Sequence, residues 1–402
     1  MKRYRQWITW SVLAALLTTV AVLYMPRGST PQYETKNTVT VRAWAYSPSI
    51  PAYMDAFERR HPGVTVQVKM FTSAERLYSE LTAAITANTV PQLAEIDSAF
   101  GIAGLADTGA LTPLRQELAT ADGNRIDSRF TASYRYENQL WALPYGGSVP
   151  VVYYNADLLG SAGAASASAL APFTWGRMTT LAKELTLDVD KDGETDIWGL
   201  AADRDTPWYL ENMMASESAS GRDPRVPAYR LWHDLVYRDG IMSPLDNHLA
   251  TSDFINGQAA FLFASSDKRT TLERYIGGKF EFGVLPFPEI EGRHALLPRT
   301  SGFVMLQAGA AETAISRQLL QYLIGDEVQS SLLGDGGQFP VRADMIGSME
   351  RDAVLSDKER AVIGMIGRID AAGAANPRGI DWLQLLDAQE KLESSSTFDA
   401  GG

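Results

Sequence analysis

Strand-like and helix-like segments alternate along the chain after residue 38. Short apolar runs predict three strands, at residues 39–46, 64–71 and 92–97. Apolar residues three and four positions apart predict the helices between and after them, at about 50–61, 73–87 and 99–108. The hydroxyls of Thr72 and Ser73 stand at the start of the second helix, so we expect one of them to cap that N-terminus. This alternation is typical of an α/β fold in which a mostly parallel sheet is flanked by helices.

Two later stretches combine apolar strand patterns with small polar residues. Leu140–Asn155 is an apolar run that a Pro-Tyr-Gly-Gly-Ser turn divides, and glycine there permits close backbone approach. Asp253–Gln258 resembles a short helix, and the strand after it stops at Ser265 and Ser266. Small polar groups at the ends of buried strands are typical of a binding site. Further helices are predicted at 175–186, where Thr174 is the cap, and at about 207–218 and 224–239.

Residues 1–36 are predicted to form a signal or anchor segment and a polar tether. Three basic residues precede Trp7–Met25, which carries no charge and is long for a signal peptide but short for a membrane span. The basic flank predicts that the N-terminus stays in the cytoplasm and that the remaining chain lies outside it. Bulky residues at Leu23–Met25 leave no evident cleavage site, so a cleaved signal peptide and an uncleaved anchor both remain open.

Size and composition indicate a globular protein of two lobes. The chain has 402 residues, of which 45% are apolar and 21% charged, and this length exceeds that of one ordinary core. The net charge of −12 argues against a nucleic-acid partner, because no basic stripe is present to neutralise phosphates. The absence of cysteine excludes disulfides, thiolate metal sites and a lipid-modified cysteine anchor. We expect a monomer.

Six motifs in order resemble the extracellular solute-binding proteins that serve ABC sugar importers. They are Val39–Trp44, Phe57–Val64, Pro91–Asp97, Leu105–Leu114, Phe280–Pro286, and Asp326–Gln329 followed by Phe339–Arg342. With the two stretches described above, the resemblance covers nearly the whole chain after residue 36.

The resemblance implies a two-lobed periplasmic-binding-protein fold of the type II clamshell kind. Each lobe is expected to contain a mostly parallel sheet flanked by helices, with three hinge crossings between the lobes. The expected lobes are 37–147 with 287–337, and 148–286 with 338–393. Residues 394–402 are expected to form a disordered tail.

The resemblance also implies that the ligand lies between the lobes. A sugar site needs aromatic faces for the ring and planar polar groups for the hydroxyls. The predicted binding residues, all at strand ends or hinge turns, are Trp44, Tyr46, Asp97, Ser98, Tyr145, Gly147, Ser148, Trp208, Glu211, Asn212, Ser265, Ser266, Asp267, Arg299, Ser301 and Gln338. Two alternatives stay open: the aromatic side chains of Trp44 and Tyr46 could be packing residues, and Asp97 could cap the next helix.

An acidic segment resembles the first part of a calcium loop. Asp188, Asp190, Asp192 and Asp196 occupy positions one, three, five and nine of the loop pattern, with a glycine at position six. The glutamate expected at position twelve is replaced by Gly199. A structural calcium ion and an exposed acidic turn are therefore both possible interpretations, and no other cofactor is expected.

Enzymatic interpretations have little support in the sequence. The four histidines, which are His61, His233, His248 and His294, are scattered, and no metalloprotease, nucleophile-elbow or nucleotide-binding motif is present. An extracytoplasmic glycosidase with two carboxylates, for example among Asp97, Glu211 and Asp267, remains a remote alternative. We therefore predict a binding protein that delivers a sugar to a membrane permease, with a sugar sensor for a membrane receptor as an alternative.

The ligand class is predicted from two short segments. Thr206–Asn212 and Ala264–Ser266 resemble the glycerol-3-phosphate and phosphodiester binders of this family. The chain departs from that group at Gln338, where those proteins carry an aromatic residue, and no counterpart of their late arginine is evident. A phosphate prefers an arginine fork or a helix N-terminus, and Arg299 is the available candidate. An uncharged mono- or oligosaccharide is therefore the first prediction and a glycerophosphate-type ligand the second.

Overall fold

The computed structural model describes residues 38–115, 126–164, 170–203, 206–217, 223–243, 249–289, 296–352, 354–369, 376 and 378–398. Residues Val39–Gly402 form one compact unit. The predicted signal or anchor segment lies outside the described residues. None of the helices in the described ranges has the length and apolar character that crossing a membrane requires.

Thirteen strands are present in the described ranges. In chain order they are β1 (Val39–Ala45), β2 (Val64–Met70), β3 (Leu93–Asp97), β4 (Leu111–Thr112), β5 (Arg135–Tyr136), β6 (Gln139–Leu140), β7 (Ala142–Ser148), β8 (Pro150–Asn155), β9 (Trp198–Ala202), β10 (Ala259–Ser265), β11 (Phe282–Pro286), β12 (Arg299–Leu306) and β13 (Phe339–Pro340). A larger sheet has the spatial order β13-β7-β12-β3-β1-β2, with β4 paired to β12. A smaller sheet has the order β11-β8-β10-β9, and β5 pairs with β6 alone.

The helices of the described ranges cover these sheets. In chain order they are α1 (Ile50–Arg60), α2 (Ala74–Thr86), α3 (Ala103–Asp107), α4 (Ser128–Thr131), α5 (Ala156–Ser161), α6 (Trp175–Glu184), α7 (Thr206–Glu217), α8 (Arg225–His233), α9 (Ala250–Ile255), α10 (Arg269–Ile276), α11 (Ala310–Leu323), α12 (Asp326–Asp335), α13 (Ala343–Met349), α14 (Asp357–Gly364) and α15 (Trp382–Ser394). Ser73 and Thr174 accept backbone N–H bonds from Arg76 and Arg177, at 3.2 and 3.3 Å. Both predicted caps are therefore confirmed.

The sheets are mixed rather than mostly parallel. The strand–helix alternation predicted at the start of the chain gives parallel pairs of β1 with β2 and with β3, and β9 is parallel to β10. The remaining pairs within the two larger sheets are antiparallel. The reason is that β7, β12 and β13 enter the larger sheet from other parts of the chain without the helical crossover that parallel neighbours need. The predicted α/β class is confirmed, and the prediction that the strands pair mostly in parallel is wrong.

The chain passes between the two sheets at three places. It leaves the larger sheet at Ser148 and enters the smaller sheet at Pro150, and it returns between β11 and β12. After β13 it leaves again, since α14 packs on β11 and α15 packs on α7 and α8. Phe339–Pro340 pairs with β7 in the larger sheet, although the prediction assigned residues from 338 onward to the other lobe. The other lobe boundaries stay a prediction.

The structure places residues 395–398, which were predicted to belong to a disordered tail starting at 394, and Ser394 ends α15. Ser395 and Phe398 lie against His233, whose ring nitrogen is 3.0 Å from the Ser395 carbonyl oxygen and whose ring centroid is 5.5 Å from that of Phe398. The guanidinium of Arg230 covers the same phenyl ring at 4.4 Å. A composition rich in serine did not reveal these contacts, and residues 399–402 lie outside the described residues.

Gly199 provides a test of the packing between β9 and α6. A Cβ at this position would overlap the carbonyl oxygen of Ala182, whereas Gly176 has no neighbouring atom within 4 Å of such a Cβ. We expect Gly199→Ala to lower the free energy of unfolding by about 1–3 kcal/mol, because overpacking forces the helix away from the strand. Gly176→Ala is the matched control and should leave stability unchanged or slightly raised. Thermal unfolding followed by circular dichroism measures both, and equal melting temperatures would contradict the expectation.

Candidate ligand-binding site

A buried ion pair joins β3 to β12. Asp97 is the last residue of β3, and its Oδ2 accepts bonds from Nε and Nη2 of Arg299 at 3.0 and 2.5 Å. Its Oδ1 accepts the backbone N–H of Ala99 at 2.9 Å. Asp97 therefore caps the following short helix, as one of its two alternatives proposed, and also neutralises the arginine; ligand binding by Asp97 stays a prediction. Because Nε and Nη2 both donate to one carboxylate oxygen, this edge of the guanidinium is held toward Asp97.

Two tryptophans lie against the guanidinium of Arg299. Its central carbon is 5.4 Å from the ring centroid of Trp208 and 5.2 Å from that of Trp382, both within cation–π range. Trp208 comes from α7 and is almost fully buried, with its indole N–H donating to the carbonyl oxygen of Leu297 at 2.9 Å. Trp382 begins α15 and was missed by the sequence analysis. The available signal was an aromatic residue directly after a segment containing proline and glycine.

A small cavity lies beside this cluster. Its volume is about 30 Å³, which is room for about two water molecules. Four predicted residues line it, namely Ser98, Trp208, Glu211 and Arg299, and the remaining wall is formed by Ser133, Leu297, Pro298, Asn376 and Gly379–Ile380 with Ala99. The predicted residue Asn212 lies behind the wall, where its side chain bonds the Trp208 carbonyl and the Leu297 N–H, each at 2.9 Å.

Glu211 is the acidic group on the cavity wall that does not belong to the ion pair. Burial raises its pKa from 4.5 to about 7, and a hydrogen bond with Asn376 opposes part of that rise. The carboxyl group is therefore close to half-protonated near neutral pH and can either donate to or accept from a hydroxyl group.

A second polar group adjoins the ion pair along β12. The hydroxyl of Tyr46 lies 2.8 Å from Ser301 Oγ, and Gln338 Nε2 donates to the same oxygen at 3.2 Å. Ser301 is the register partner of Asp97, so the two groups are neighbours on the sheet. The structure thus brings together three of the predicted residues, Tyr46, Ser301 and Gln338, and their contact with a ligand stays a prediction. Gly146 leaves the space for Gln338, because a Cβ there would lie 2.6 Å from Oε1.

Glu95 supports this group from inside the larger sheet. Its carboxylate is fully buried and accepts bonds from the Tyr46 and Ser47 backbone N–H groups at 2.8 and 3.0 Å and from the Tyr145 hydroxyl at 2.6 Å. Burial raises its pKa, and these hydrogen bonds oppose the rise. Glu95 was missed, although an acidic residue in the apolar run Leu93–Asp97 was a usable signal. Tyr145, predicted to bind ligand, instead points at Glu95.

The remaining predicted residues have structural partners. Ser266 Oγ accepts the Val149 N–H at 3.1 Å at the first crossing between the sheets. Gly147 lies against the ring of Phe130, which a Cβ would approach to 2.8 Å. Trp44 packs on Phe71 under the Lys69 ammonium, as its packing alternative proposed. Ser148, Ser265 and Asp267 are chain neighbours of Val149 or Ser266, and none of them lines the cavity. The buried hydroxyl of Ser265 has no hydrogen-bond partner among the described residues.

A larger cavity lies elsewhere. It measures about 510 Å³ and is enclosed by β11, α14 and the segment Ala171–Phe173. Glu289, Arg360 and Arg368 lie among its mostly apolar wall residues, and none of the predicted binding residues lines it. The smaller cavity is the candidate site because four of the predicted binding residues line it.

The acidic loop has part of the geometry of a cation site. Oxygens of Asp188, Asp190 and Asp196 lie within 4.8 Å of one another, and all three side chains are exposed. Asp192 is not in this group; its Oδ1 accepts the Glu194 N–H at 2.8 Å. Position twelve is glycine because β9 packs there on the backbone of α6, which excludes a glutamate. The calcium ion stays a prediction, with Asp192 removed from the expected ligands.

Comparison with known proteins identifies the family. Residues 44–330 match the model of the bacterial extracellular solute-binding proteins. The chain belongs to this family. The family resemblance inferred from the six motifs is therefore confirmed. Membership of an extracellular family also indicates that the protein works outside the cytoplasm. No curated protein is similar enough in sequence to be matched.

Solved structures with the same fold include three with bound ligands. An ABC transporter solute-binding protein from Thermotoga lettingae with α-D-tagatose is 17% identical, with 89% of this chain and 94% of that one covered and a TM-score of 0.72. A maltose/maltodextrin-binding domain from Bdellovibrio bacteriovorus with maltotriose is 18% identical, with 89% and 95% covered and a TM-score of 0.69. UgpB from Mycobacterium tuberculosis with glycerophosphocholine is 16% identical, with 88% and 98% covered and a TM-score of 0.66. The two-lobed periplasmic-binding-protein fold is thereby confirmed.

The pKa of Glu211 predicts a pH dependence of stability. Between pH 4.5 and about pH 7, Glu211 is protonated in the folded protein but ionised in the unfolded chain. The stabilisation that this bound proton gives the folded state is therefore lost as the pH rises through about 7. We expect the free energy of unfolding, measured by denaturant titration, to fall between about pH 5 and about pH 8 more steeply in the wild type than in Glu211→Gln, by a difference on the order of 3 kcal/mol. Parallel pH curves for the two proteins would contradict this.

The acidic loop predicts a calcium response. Addition of calcium to protein treated with a chelator should raise the melting temperature, because an ion that binds only the folded state stabilises it by mass action. Asp190→Asn should abolish the rise, and Asp192→Asn should retain it. Differential scanning calorimetry measures the three proteins, and an unchanged wild-type melting temperature would establish the loop as an exposed acidic turn.

Proposed function

We propose that this protein is the extracytoplasmic substrate-binding component of an ABC importer and captures an uncharged sugar between its lobes. The observation that carries the proposal is the cavity beside Arg299, whose wall combines the indole of Trp208 with hydroxyl, carboxyl and amide groups. Sugars need this combination, since their ring faces are apolar and their edges carry hydroxyl groups. The tagatose-bound and maltotriose-bound proteins of the same fold support it.

The charge distribution favours an uncharged ligand over a phosphodiester. Among the described residues that line the cavity, Arg299 is the only cation. Its Nε and Nη2 are bonded to Asp97, so a phosphate would have to compete with a carboxylate that is already in place. Glu211, which also lines the cavity, would repel the phosphate whenever its carboxyl group is ionised. The glycerophosphocholine complex of UgpB supports the second candidate, a glycerophosphate-type ligand.

The same contacts favour binding over hydrolysis. A glycosidase requires two carboxyl groups that can act as acid and as nucleophile or base. Asp97 is committed to Arg299 and to the Ala99 N–H, which leaves Glu211 as the available carboxyl group among the described cavity residues. We therefore propose a protein without enzymatic activity that acts as a monomer and delivers its sugar to the permease. A tether through an uncleaved N-terminal segment is compatible with this role, and so is a sensor that presents sugar to a receptor.

Tryptophan variants test the proposed site. Thermal-shift screening against neutral sugars and glycerophosphodiesters first identifies a ligand, since binding raises the melting temperature. Trp208→Ala should then weaken the affinity at least about fivefold, because an aromatic face is worth on the order of 1 kcal/mol. Trp175→Ala is the control, since this ring is also buried but packs on Phe263 and Phe287.

Calorimetric titration is carried out below the melting temperature of each variant, at an equal folded fraction. Equal affinities for the two variants would remove Trp208 from the site. A glycerophosphodiester that binds while every neutral sugar fails would replace the first ligand class by the second.

A further inference from the structure

We propose that Trp382 latches the two lobes together in the ligand-free protein by packing its indole ring on Arg299 and Phe100. The ring centroid of Trp382 is 5.2 Å from the guanidinium carbon of Arg299 and 5.7 Å from the ring centroid of Phe100. The indole comes from one lobe and its two partners come from the other. The inference goes beyond the proposed function and does not depend on which ligand is bound.

Arg299 and Phe100 belong to the lobe that contains the larger sheet. Arg299 is the first residue of β12 and the register partner of Ser148 in β7. Its guanidinium donates two hydrogen bonds to Asp97 at the end of β3, at 3.0 and 2.5 Å. Phe100 follows β3 and stacks on Tyr78 of α2, with ring centroids 5.2 Å apart. Because a buried charge stays with its partner, both side chains move with the larger sheet.

Trp382 belongs to the lobe that contains the smaller sheet. It begins α15, which packs on α7 and α8. Tyr209 of α7 and Trp232 of α8 both lie against Phe263 of β10, with ring centroids 5.9 and 6.4 Å from that of the phenylalanine. The three helices therefore form one layer on the smaller sheet, and the indole of Trp382 moves with it.

The chain crosses between the lobes close to Arg299. The backbone of Leu297 is bonded to two side chains of α7, whereas the Thr300 N–H donates to Ser98 Oγ in the larger-sheet lobe at 2.9 Å. A change of backbone direction at Pro298 can thus open the cleft while both sets of bonds persist. Such a hinge motion draws α15 away from the larger sheet and separates Trp382 from Arg299.

Few other bonds hold Trp382 in place across the cleft. The Ile380 N–H donates to the Ala99 carbonyl oxygen at 2.8 Å. The indole of Trp382 is buried, and its N–H has no hydrogen-bond partner among the described residues. A buried donor without an acceptor costs free energy, and opening of the cleft removes this cost because water reaches the indole. The ring contacts therefore provide most of the attraction between the lobes here, and closure remains reversible.

The latch has a consequence for ligand entry. With the ring in place the cavity measures about 30 Å³, whereas sites for small molecules measure about 300–1,000 Å³. A ligand therefore has to enter the open form, and the apparent affinity falls with the fraction of the protein that is open. The contact between Trp382 and Arg299 is in this sense autoinhibitory.

Spin-label distances in the ligand-free protein test the latch. The chain contains no cysteine, so the exposed positions Ala83→Cys on α2 and Glu184→Cys on α6 give one label on each lobe. We expect the spacing of the present structure to be the main distance in the otherwise wild-type protein. Arg299→Lys and Trp382→Leu should each lower the ratio of closed to open molecules at least about fivefold, because a guanidinium on an indole contributes attraction of that size. Lysine keeps the charge beside Asp97 but lacks the planar group that packs on the ring.

Arg230→Lys is the matched control. The guanidinium of Arg230 covers the ring of Phe398 at 4.4 Å, a contact that does not cross the cleft, so this variant should keep the wild-type distances. Circular dichroism establishes that each variant is folded. A wild type that is already mostly open without ligand, or latch variants with the distances of the wild type, would overturn the latch. Because no ligand is added, neither result bears on the proposed function, and failure of every sugar in the screen would leave the latch intact.

Discussion

The guanidinium of Arg299 is the point on which the candidate site depends. A charge removed from water must be paired, because the penalty for an uncompensated buried ion amounts to several kcal/mol. Asp97 supplies the pairing charge from β3, and the rings of Trp208 and Trp382 cover the two remaining sides. Four separate segments of chain therefore meet at one cation. Loss of that charge would release the end of β3, the start of β12 and both tryptophans together.

The ion pair is supported from inside the larger sheet. There the buried carboxylate of Glu95 ties the end of β1 to β7 through Tyr46 and Tyr145. A buried network in which each group has its partner rigidifies its surroundings. In a two-lobed protein, ligand binding and closure are linked.

Local patterns in the sequence predicted the parts of the site that sheet topology brings together. Polar residues at strand ends converge because the ends of neighbouring strands meet at one edge, and Asp97, Ser98, Ser301 and Arg299 do lie together there; their contact with a ligand stays a prediction. Tyr145 was predicted by the same reasoning, and its hydroxyl donates to the buried Glu95. Asn376 and Trp382 could not be found in this way. Asn376 lines the cavity and the Trp382 ring lies against Arg299, both through contacts between segments far apart in the chain, and no local period encodes such contacts.

Electrostatics also explains why hydroxyl geometry, rather than charge, is expected to select the ligand. The protein carries a net charge of −12, so its long-range field repels anions during encounter. Among the described residues that line the cavity, Arg299 is the one cation and is already paired with Asp97, and Glu211 stands near its point of half-protonation. A group in that state can donate to or accept from a hydroxyl, as the ligand requires. Discrimination is then expected to depend on which hydroxyls reach Glu211, Asn376 and Ser98 at once.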